Sequence, residues 1–224
     1  MDKVKAFFIL LALMLSFIAC DKRKPFIVVK DPDKTVDKDS CGHLNFHYEK
    51  QEGCDGQIYP DPSTSEYILP FRKGESYLTG LTNCSSSYHA PDKPDRYAFD
   101  FNLSEGNEFI AARGGVVAKV VEDQSSEGGG AGNYLVINHL DGTYAYYLHS
   151  PKKGIYVKKG QTVQQGDVLG IVGRSGLAGY PHLHFIVVKG SYAWPYHSIP
   201  ITFRNTLPAD VIIKEHTLYM ACNE

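Results

Sequence analysis

The amino-acid sequence predicts an all-β fold, mainly antiparallel sheet in a barrel or sandwich arrangement, with short loops and little helix. Short runs of β-branched and aromatic residues recur at close intervals, and glycine-containing turns separate them. Patterns with the 3.6-residue period of a helix are scarce. Glycine and tyrosine are abundant, with 21 and 15 residues among 224. Many short strands without a repeated helix are typical of the all-β class.

The individual strands are predicted from alternation and from turn signals. Asp141-Gly142 is the strongest hairpin signal in the chain, because this dipeptide favours a two-residue turn between antiparallel strands. The flanking residues, 134–138 and 143–148, are rich in strand formers. Residues 164–173 have the pattern of a turn followed by a strand. The other predicted strands are residues 67–71, 76–80, 97–101, 109–112, 116–121 and 182–188.

The length and charge of the chain limit the classes of function. A chain of 224 residues has room for one domain of about 150 residues with appendages. The net charge is −2 at pH 7, so no basic surface for nucleic acid is expected. We place the folded domain at residues 67–224, after a tether and cysteine-containing segment at residues 21–66.

The first twenty residues have the composition of a targeting segment. Lys3 and Lys5 precede an apolar run, residues 6–19, that is too short for a comfortable transmembrane helix. The run ends at Cys20 and resembles a bacterial lipoprotein signal peptide, which is cleaved before a cysteine that is then lipidated. Phe17 stands where such signals usually have Leu, and an ordinary secretory signal is the alternative. Both interpretations predict export to the cell envelope, and the first predicts a lipid anchor in the membrane.

Four further cysteines are expected to form two disulfides, because an even number in an exported protein is typical of a disulfide framework. These are Cys41, Cys54, Cys84 and Cys222. Three pairings are possible, and we favour Cys41 with Cys54 and Cys84 with Cys222.

A small zinc knuckle is the alternative for the first two of these cysteines. His43 and His47 lie between Cys41 and Cys54, and could join them as metal ligands. The spacing fits no familiar zinc pattern, and an oxidising compartment favours the disulfide.

The sequence His182-Leu183-His184 predicts a metal-binding or catalytic function. Alternate residues of a strand point to the same face, about 6–7 Å apart. Two imidazoles so placed can serve one metal centre, one as a ligand and the other as an acid, base or hydrogen-bond donor. The alternative is a pair of histidines on a solvated strand face.

Several further blocks occur in order between residues 69 and 189. They are Tyr-Ala-Phe-Asp-Phe at 97–101, Gly-Asn-Glu-Phe-Ile-Ala-Ala-Arg-Gly-Gly-Val-Val at 106–117, the hairpin residues 132–143, Tyr-Tyr-Leu-His at 146–149, the glycine-containing run 157–170 and Pro-His-Leu-His-Phe at 181–185. Together they resemble the zinc metallopeptidases of the M23, LytM-like or lysostaphin type, which are peptidoglycan endopeptidases. The resemblance implies a β-rich peptidase core, a Zn²⁺ cofactor and peptidoglycan peptides as the substrate.

The resemblance also implies roles for individual residues. Asp100 and His184 correspond to zinc ligands, and His149 and His182 correspond to catalytic histidines that do not bind the metal. The family's usual third ligand lies four residues before the aspartate. This chain has Arg96 there, and a protonated guanidinium has no lone pair to give.

His89 is the nearest histidine upstream of Asp100, and we expect it to be the third ligand. The sequence Ser-Tyr-His that ends at this residue resembles a subset of the family in which the histidine lies further from the aspartate. If His89 were an ordinary loop histidine, the ligand set would be incomplete. By contrast, His139 is expected to be structural, and His197 and His216 are expected to be surface residues.

The chemistry of these residue types agrees with the resemblance. Two imidazoles and one carboxylate form a tetrahedral zinc site with one open position, at which water would be activated. We expect either His149 or His182 to take a proton from that water and the other to donate a hydrogen bond to the oxyanion.

The sequence therefore predicts an exported, membrane-anchored zinc metalloendopeptidase that hydrolyses peptide bonds in peptidoglycan. The alternative is a catalytically degenerate member that binds the cell wall or activates other wall hydrolases. The histidines and the aspartate named above favour the enzyme, whereas Arg96 weakly favours the alternative.

Overall fold

In the computed structural model, the described residues are Cys41, Leu44, 46–124 and 129–222. They form antiparallel strands and two short 3₁₀ turns, Pro62–Thr64 and Ser87–His89. The all-β prediction is therefore confirmed. The strands are β1 Ser76–Leu78, β2 Phe99–Phe101, β3 Glu108–Ile110, β4 Gly115–Val121, β5 Asn133–Asn138, β6 Thr143–Ser150, β7 Thr162–Val163, β8 Val168–Ile171, β9 Leu183–Lys189, β10 His197–Ser198, β11 Thr206–Leu207 and β12 Leu218–Ala221.

A seven-stranded antiparallel sheet contains most of the predicted site. Its order is β10-β9-β6-β5-β4-β7, and β2 pairs with the beginning of β9. Two smaller sheets, β1-β12-β11 and β3-β8, complete the arrangement. Strand β9 therefore lies between β6 on one side and β2 and β10 on the other, so side chains from β2, β6 and β9 are neighbours.

The two faces of the large sheet have different contents because side chains alternate along a strand. Leu183, Phe185 and Val187 of β9 pack in the main hydrophobic core. Ile186 and Val188 pack on the opposite face in a smaller cluster with Tyr146 and Leu148. His184 has the parity of this second face, which therefore contains both apolar residues and the predicted metal centre.

The hairpin predicted at Asp141-Gly142 joins β5 and β6, as expected. Asn138 pairs with Tyr144 across it. The Asp141 carboxylate accepts a hydrogen bond from the Thr143 backbone N–H at 2.9 Å, and Gly142 takes a φ of +87°, where a side chain would be strained.

The predicted strand at residues 67–71 is wrong. This segment is buried but irregular, and its backbone groups bond to scattered partners and not to one neighbouring strand. The Leu69 N–H donates to the Asn205 side chain at 2.8 Å, and the Arg204 N–H donates to the Tyr67 carbonyl at 3.0 Å. Pro70 has no N–H with which to extend a ladder. The predicted strand at 76–80 is shorter, Ser76–Leu78.

The favoured disulfide pairing is also wrong. Cys41 is bonded to Cys222 with a Cα–Cα distance of 5.2 Å, and Cys54 is bonded to Cys84 at 5.8 Å. Both distances lie in the range that a disulfide spans. Strand β12 places Cys222 beside Cys41. Cys41 and Cys54 are close in sequence, but each is bonded to a different cysteine. Because Cys41 and Cys54 are both in disulfides, the zinc knuckle is excluded.

Several predictions lie outside the described residues, namely the signal peptide, the lipidated Cys20 and His43. Among the residues that are described, no helix has the length and apolar character needed to cross a membrane.

Candidate metal centre

All five residues predicted for the site come together around the beginning of β9. Asp100 in β2 lies directly opposite His184 in β9, and Leu148 of β6 lies opposite His184 on its other side. His182 comes just before β9, and His149 follows Leu148 in β6. His89, the remaining residue, is at the end of the 3₁₀ turn Ser87–His89.

The Asp100 carboxylate is at the centre of the group. Its Oδ1 lies 2.9 Å from His184 Nδ1, 3.3 Å from His89 Nε2 and 3.6 Å from His182 Nε2. The carboxylate is 4% exposed and the His89 imidazole 1% exposed, so water does not solvate the charge fully. Isolated buried charges are costly unless they are paired or bind a metal.

Backbone carbonyls fix the orientation of three of the imidazoles. Nδ1 of His89 lies 3.2 Å from the Thr82 carbonyl, and Nδ1 of His182 lies 2.9 Å from the Tyr180 carbonyl. A carbonyl only accepts, so each Nδ1 carries the proton and donates it. The Nε2 atom of a neutral ring then has a free lone pair, and in both rings Nε2 faces Asp100.

His149 is held in the same way. Its Nδ1 donates to the Ser175 carbonyl at 2.8 Å. Its backbone φ is +76°, which is uncommon for a residue with a side chain and costs conformational energy. The ring centroid lies 4.7 Å from that of His182 and 5.7 Å from that of His184. This strained residue therefore directs its imidazole towards the group.

The donor atoms fit a bound cation. The Nε2 lone pairs of His89 and His182 face Oδ1 of Asp100, so several hydrogen-bond acceptors lie close together. A positive ion between them would stabilise this arrangement. The side chains His89, Asp100 and His184 each offer one ligand atom, all within 4.8 Å of one another. In a tetrahedron with zinc–ligand bonds of ~2.0–2.1 Å, neighbouring ligand atoms are ~3.3 Å apart. The separations of 2.9 and 3.3 Å measured from Asp100 Oδ1 are close to that value.

A second set of three histidines overlaps the first. His149, His182 and His184 also offer ligand atoms within 4.8 Å of one another. This set contains no carboxylate and would leave the charge of Asp100 without a direct metal bond. Catalytic zinc sites of both kinds are known, so the position of the Asp100 carboxylate is what favours the first set here.

The pKa values of the site follow from burial and from Asp100. Burial lowers the pKa of His149 to about 3, and repulsion from His182 and His184 adds to this effect. Burial also lowers the pKa of His182. Burial alone would lower the pKa of His184, but the hydrogen bond to Asp100 together with the negative charges of Asp100 and Asp95 outweighs burial and raises it. Near neutral pH, His149 and His182 are therefore neutral.

The three carbonyls that orient the imidazoles had no signal in the sequence. Thr82, Ser175 and Tyr180 contribute backbone oxygens, which every residue type has, so only their position in the fold makes them useful. They act as partners that fix the tautomer and the ring plane of site histidines.

The other histidines in the described part of the chain lie elsewhere. His139 is buried, and its Nδ1 donates to the Gly114 carbonyl at 2.8 Å. His47, His197 and His216 are exposed.

Comparison with known proteins agrees with this geometry. Residues 95–195 match the model of Peptidase family M23. Over 61 residues the chain is 46% identical to the peptidoglycan DD-endopeptidase ShyA of Vibrio cholerae, a match that covers 27% of this chain and 14% of the relative. Over 131 residues it is 32% identical to the glycyl-glycine endopeptidase ALE-1 of Staphylococcus capitis, with 58% of this chain and 33% of the relative covered.

The chain therefore spans a third or less of the length of these two relatives. Among solved structures, lysostaphin from Staphylococcus simulans matches with a TM-score of 0.47 and 22% identity, over 61% of this chain and 51% of that one.

Proposed function

We propose that the chain is a zinc metalloendopeptidase that hydrolyses peptide bonds in bacterial peptidoglycan, and the match of residues 95–195 to the model of Peptidase family M23 supports this. The observation that carries this proposal is the convergence of His89, Asp100 and His184 on one point, with two further imidazoles beside it. The relative from Vibrio cholerae, which is named a peptidoglycan DD-endopeptidase, supports the substrate class.

The residues present fit zinc as the metal. His89 Nε2, Asp100 Oδ1 and His184 Nδ1 would hold it and leave one coordination position open. When bound, zinc supplies a Lewis acid that lowers the pKa of a coordinated water towards ~7 and polarises the peptide carbonyl. Burial of the three side chains excludes bulk water and strengthens these electrostatic effects.

His149 and His182 would handle the protons. Since Nδ1 of each ring donates to a backbone carbonyl, Nε2 of the neutral ring has the lone pair that accepts a proton from the attacking water. Only after it accepts that proton does Nε2 become a donor to the oxyanion or to the leaving amine. We propose that both rings begin as acceptors, and that either ring can donate to the oxyanion once it is protonated.

The proposed setting is the cell envelope. The apolar run before Cys20 supports export and a lipid anchor, which would hold the domain within reach of the cell wall. Two disulfides among the described residues support an oxidising compartment.

The test is digestion of purified peptidoglycan by the zinc-loaded chain. Mass spectrometry of the released peptides identifies the cleaved bond. Substrates with D-amino-acid cross-links and with glycine bridges are compared, because the two relatives differ in this respect. His149→Ala is the matched inactive control. A chain that binds zinc yet releases no peptide from either substrate would contradict the enzyme and favour a wall-binding or activating module.

A further inference from the structure

The loop that carries His89 has left-handed backbone at two residues that are not glycine. We call residues 82–96 the ligand loop; it joins the region after β1 to β2. His89 lies outside the residues that match the family, 95–195. In this loop Cys84 and Ser87, which are not glycine, have φ values of +57° and +54°. Left-handed backbone at such residues is unfavourable and needs support from the surroundings.

A short hairpin upstream supplies that support. We call residues 52–59 the clamp hairpin. Glu52 pairs with Ile58, and the Gly53 N–H donates to the Gln57 carbonyl at 2.8 Å. The turn carries Cys54, which is bonded to Cys84 in the ligand loop.

The clamp hairpin also binds the far end of the ligand loop. The carboxylate of Asp55 pairs with the Arg96 guanidinium at 3.3 Å and accepts a hydrogen bond from the Tyr97 hydroxyl. At Gly53, a Cβ atom would lie 2.7 Å from the Tyr97 ring, so the two segments are in close contact. The Cys84 N–H donates to the Arg96 carbonyl at 2.6 Å, which joins the two ends of the loop.

A third contact extends from the clamp hairpin to β2. The Tyr59 hydroxyl donates to the Asn83 side chain at 3.0 Å, and the Asn83 amide donates to the Ala98 carbonyl at 2.9 Å. Ala98 precedes Asp100 by two residues. One hairpin therefore holds the loop that bears His89 and the strand that bears Asp100.

We propose that Cys54, Cys84 and Asp55 are positioning residues that hold His89 in place for metal binding. Without them, the ligand loop would have to be ordered when the metal binds, and that entropic cost would weaken the affinity. The inference rests on the proposed zinc site and adds to it a part of the chain outside the family match. Arg96, which stands where the family's usual ligand would be, takes part in the clamp instead.

The test compares the two disulfides in the full, oxidised chain. The Cys54→Ser/Cys84→Ser chain lacks the clamp disulfide, and the Cys41→Ser/Cys222→Ser chain is the matched control. Zinc affinity is measured by competition with a chromophoric chelator, and the visible spectrum of bound Co²⁺ reports the ligand set. Loss of a residue that orients a ligand costs roughly 10–100-fold in metal affinity, and we expect that loss only without the clamp disulfide.

Folding is checked by near-ultraviolet circular dichroism. If the clamp variant fails to fold, Asp55→Ala is the variant that tests the positioning role. It keeps both disulfides and removes the contacts to Arg96 and Tyr97. We expect it to lose roughly 10-fold in zinc affinity. A parent chain without zinc contradicts the proposed function and this inference with it. A parent that binds zinc no more tightly than the folded clamp variant, or than Asp55→Ala, contradicts the positioning role alone.

Discussion

Gly132→Ala should impair catalysis without removing the metal. Gly132 precedes β5 with φ +67°, and its backbone lies against Ser175, whose carbonyl holds Nδ1 of His149. A Cβ at residue 132 would lie 2.5 Å from the Ser175 carbonyl carbon and closer still to its oxygen. The added methyl group therefore acts on His149 through one backbone carbonyl.

The size of the effect follows from these distances. Ordinary van der Waals contact begins at 3.4 Å, so the Ser175 carbonyl must retreat by about 1 Å, and a misplacement of that size costs on the order of 100-fold in rate. The left-handed φ adds a stability cost of ~1–2 kcal/mol, because Ala is strained there. The zinc ligands are untouched, so zinc content should stay the same.

The assay measures kcat, KM, zinc content and Tm for Gly132→Ala beside Gly130→Ala. Gly130 has nearly the same φ, +69°, but nothing lies within 4 Å of its would-be Cβ. Gly130→Ala should therefore lose stability but keep kcat. If both variants keep kcat within a few-fold of the parent, the Ser175 carbonyl does not control His149, and the reasoning is refuted.

Three further predictions concern the histidines and the metal. His149→Ala should lower kcat by ~10²–10⁴-fold with zinc retained, and loss of zinc instead would make His149 a ligand. Burial lowers the pKa of His139 to about 4, so its contribution to stability is complete above pH 6.5 and is lost as the pH falls towards 4. Urea unfolding measures the free energy of unfolding at each pH. Between pH 6.5 and 4 this free energy should fall by up to about 3 kcal/mol less in His139→Gln than in the parent. An equal fall in both chains would contradict the prediction. Chelation of the metal should lower the Tm in calorimetry, since a ligand at 100 times its Kd stabilises by about 2.7 kcal/mol, and His89→Ala should show no such change.

Much of the site could be predicted because its residues occur in regular strands. The alternation of His182 and His184 placed both on one face, and the hairpin signal at Asp141-Gly142 fixed the pairing of β5 with β6. Once β2 pairs with β9, Asp100 falls opposite His184. These neighbours follow from the two-residue alternation along a strand and from the pairing register of the strands, and both leave a pattern in the sequence.

The remainder depended on contacts between distant segments. The Cys41–Cys222 and Cys54–Cys84 bonds follow from where β12 and the clamp hairpin pack, and no local pattern reports that. The segment 67–71 has the composition of a strand, yet its partners are a side-chain amide and loop carbonyls. The carbonyls that orient the imidazoles are invisible in a sequence for the same reason.

The most direct test of the metal centre is the zinc content per chain of the parent, His89→Ala and His139→Gln. His89 and His139 are both buried, and each donates Nδ1–H to a backbone carbonyl. Only His89 faces Asp100. We predict about one zinc in the parent and in His139→Gln and a large loss in His89→Ala, as expected for a three-ligand site. Zinc that persists in His89→Ala, or a parent without zinc after metal loading, would contradict the metal centre described here.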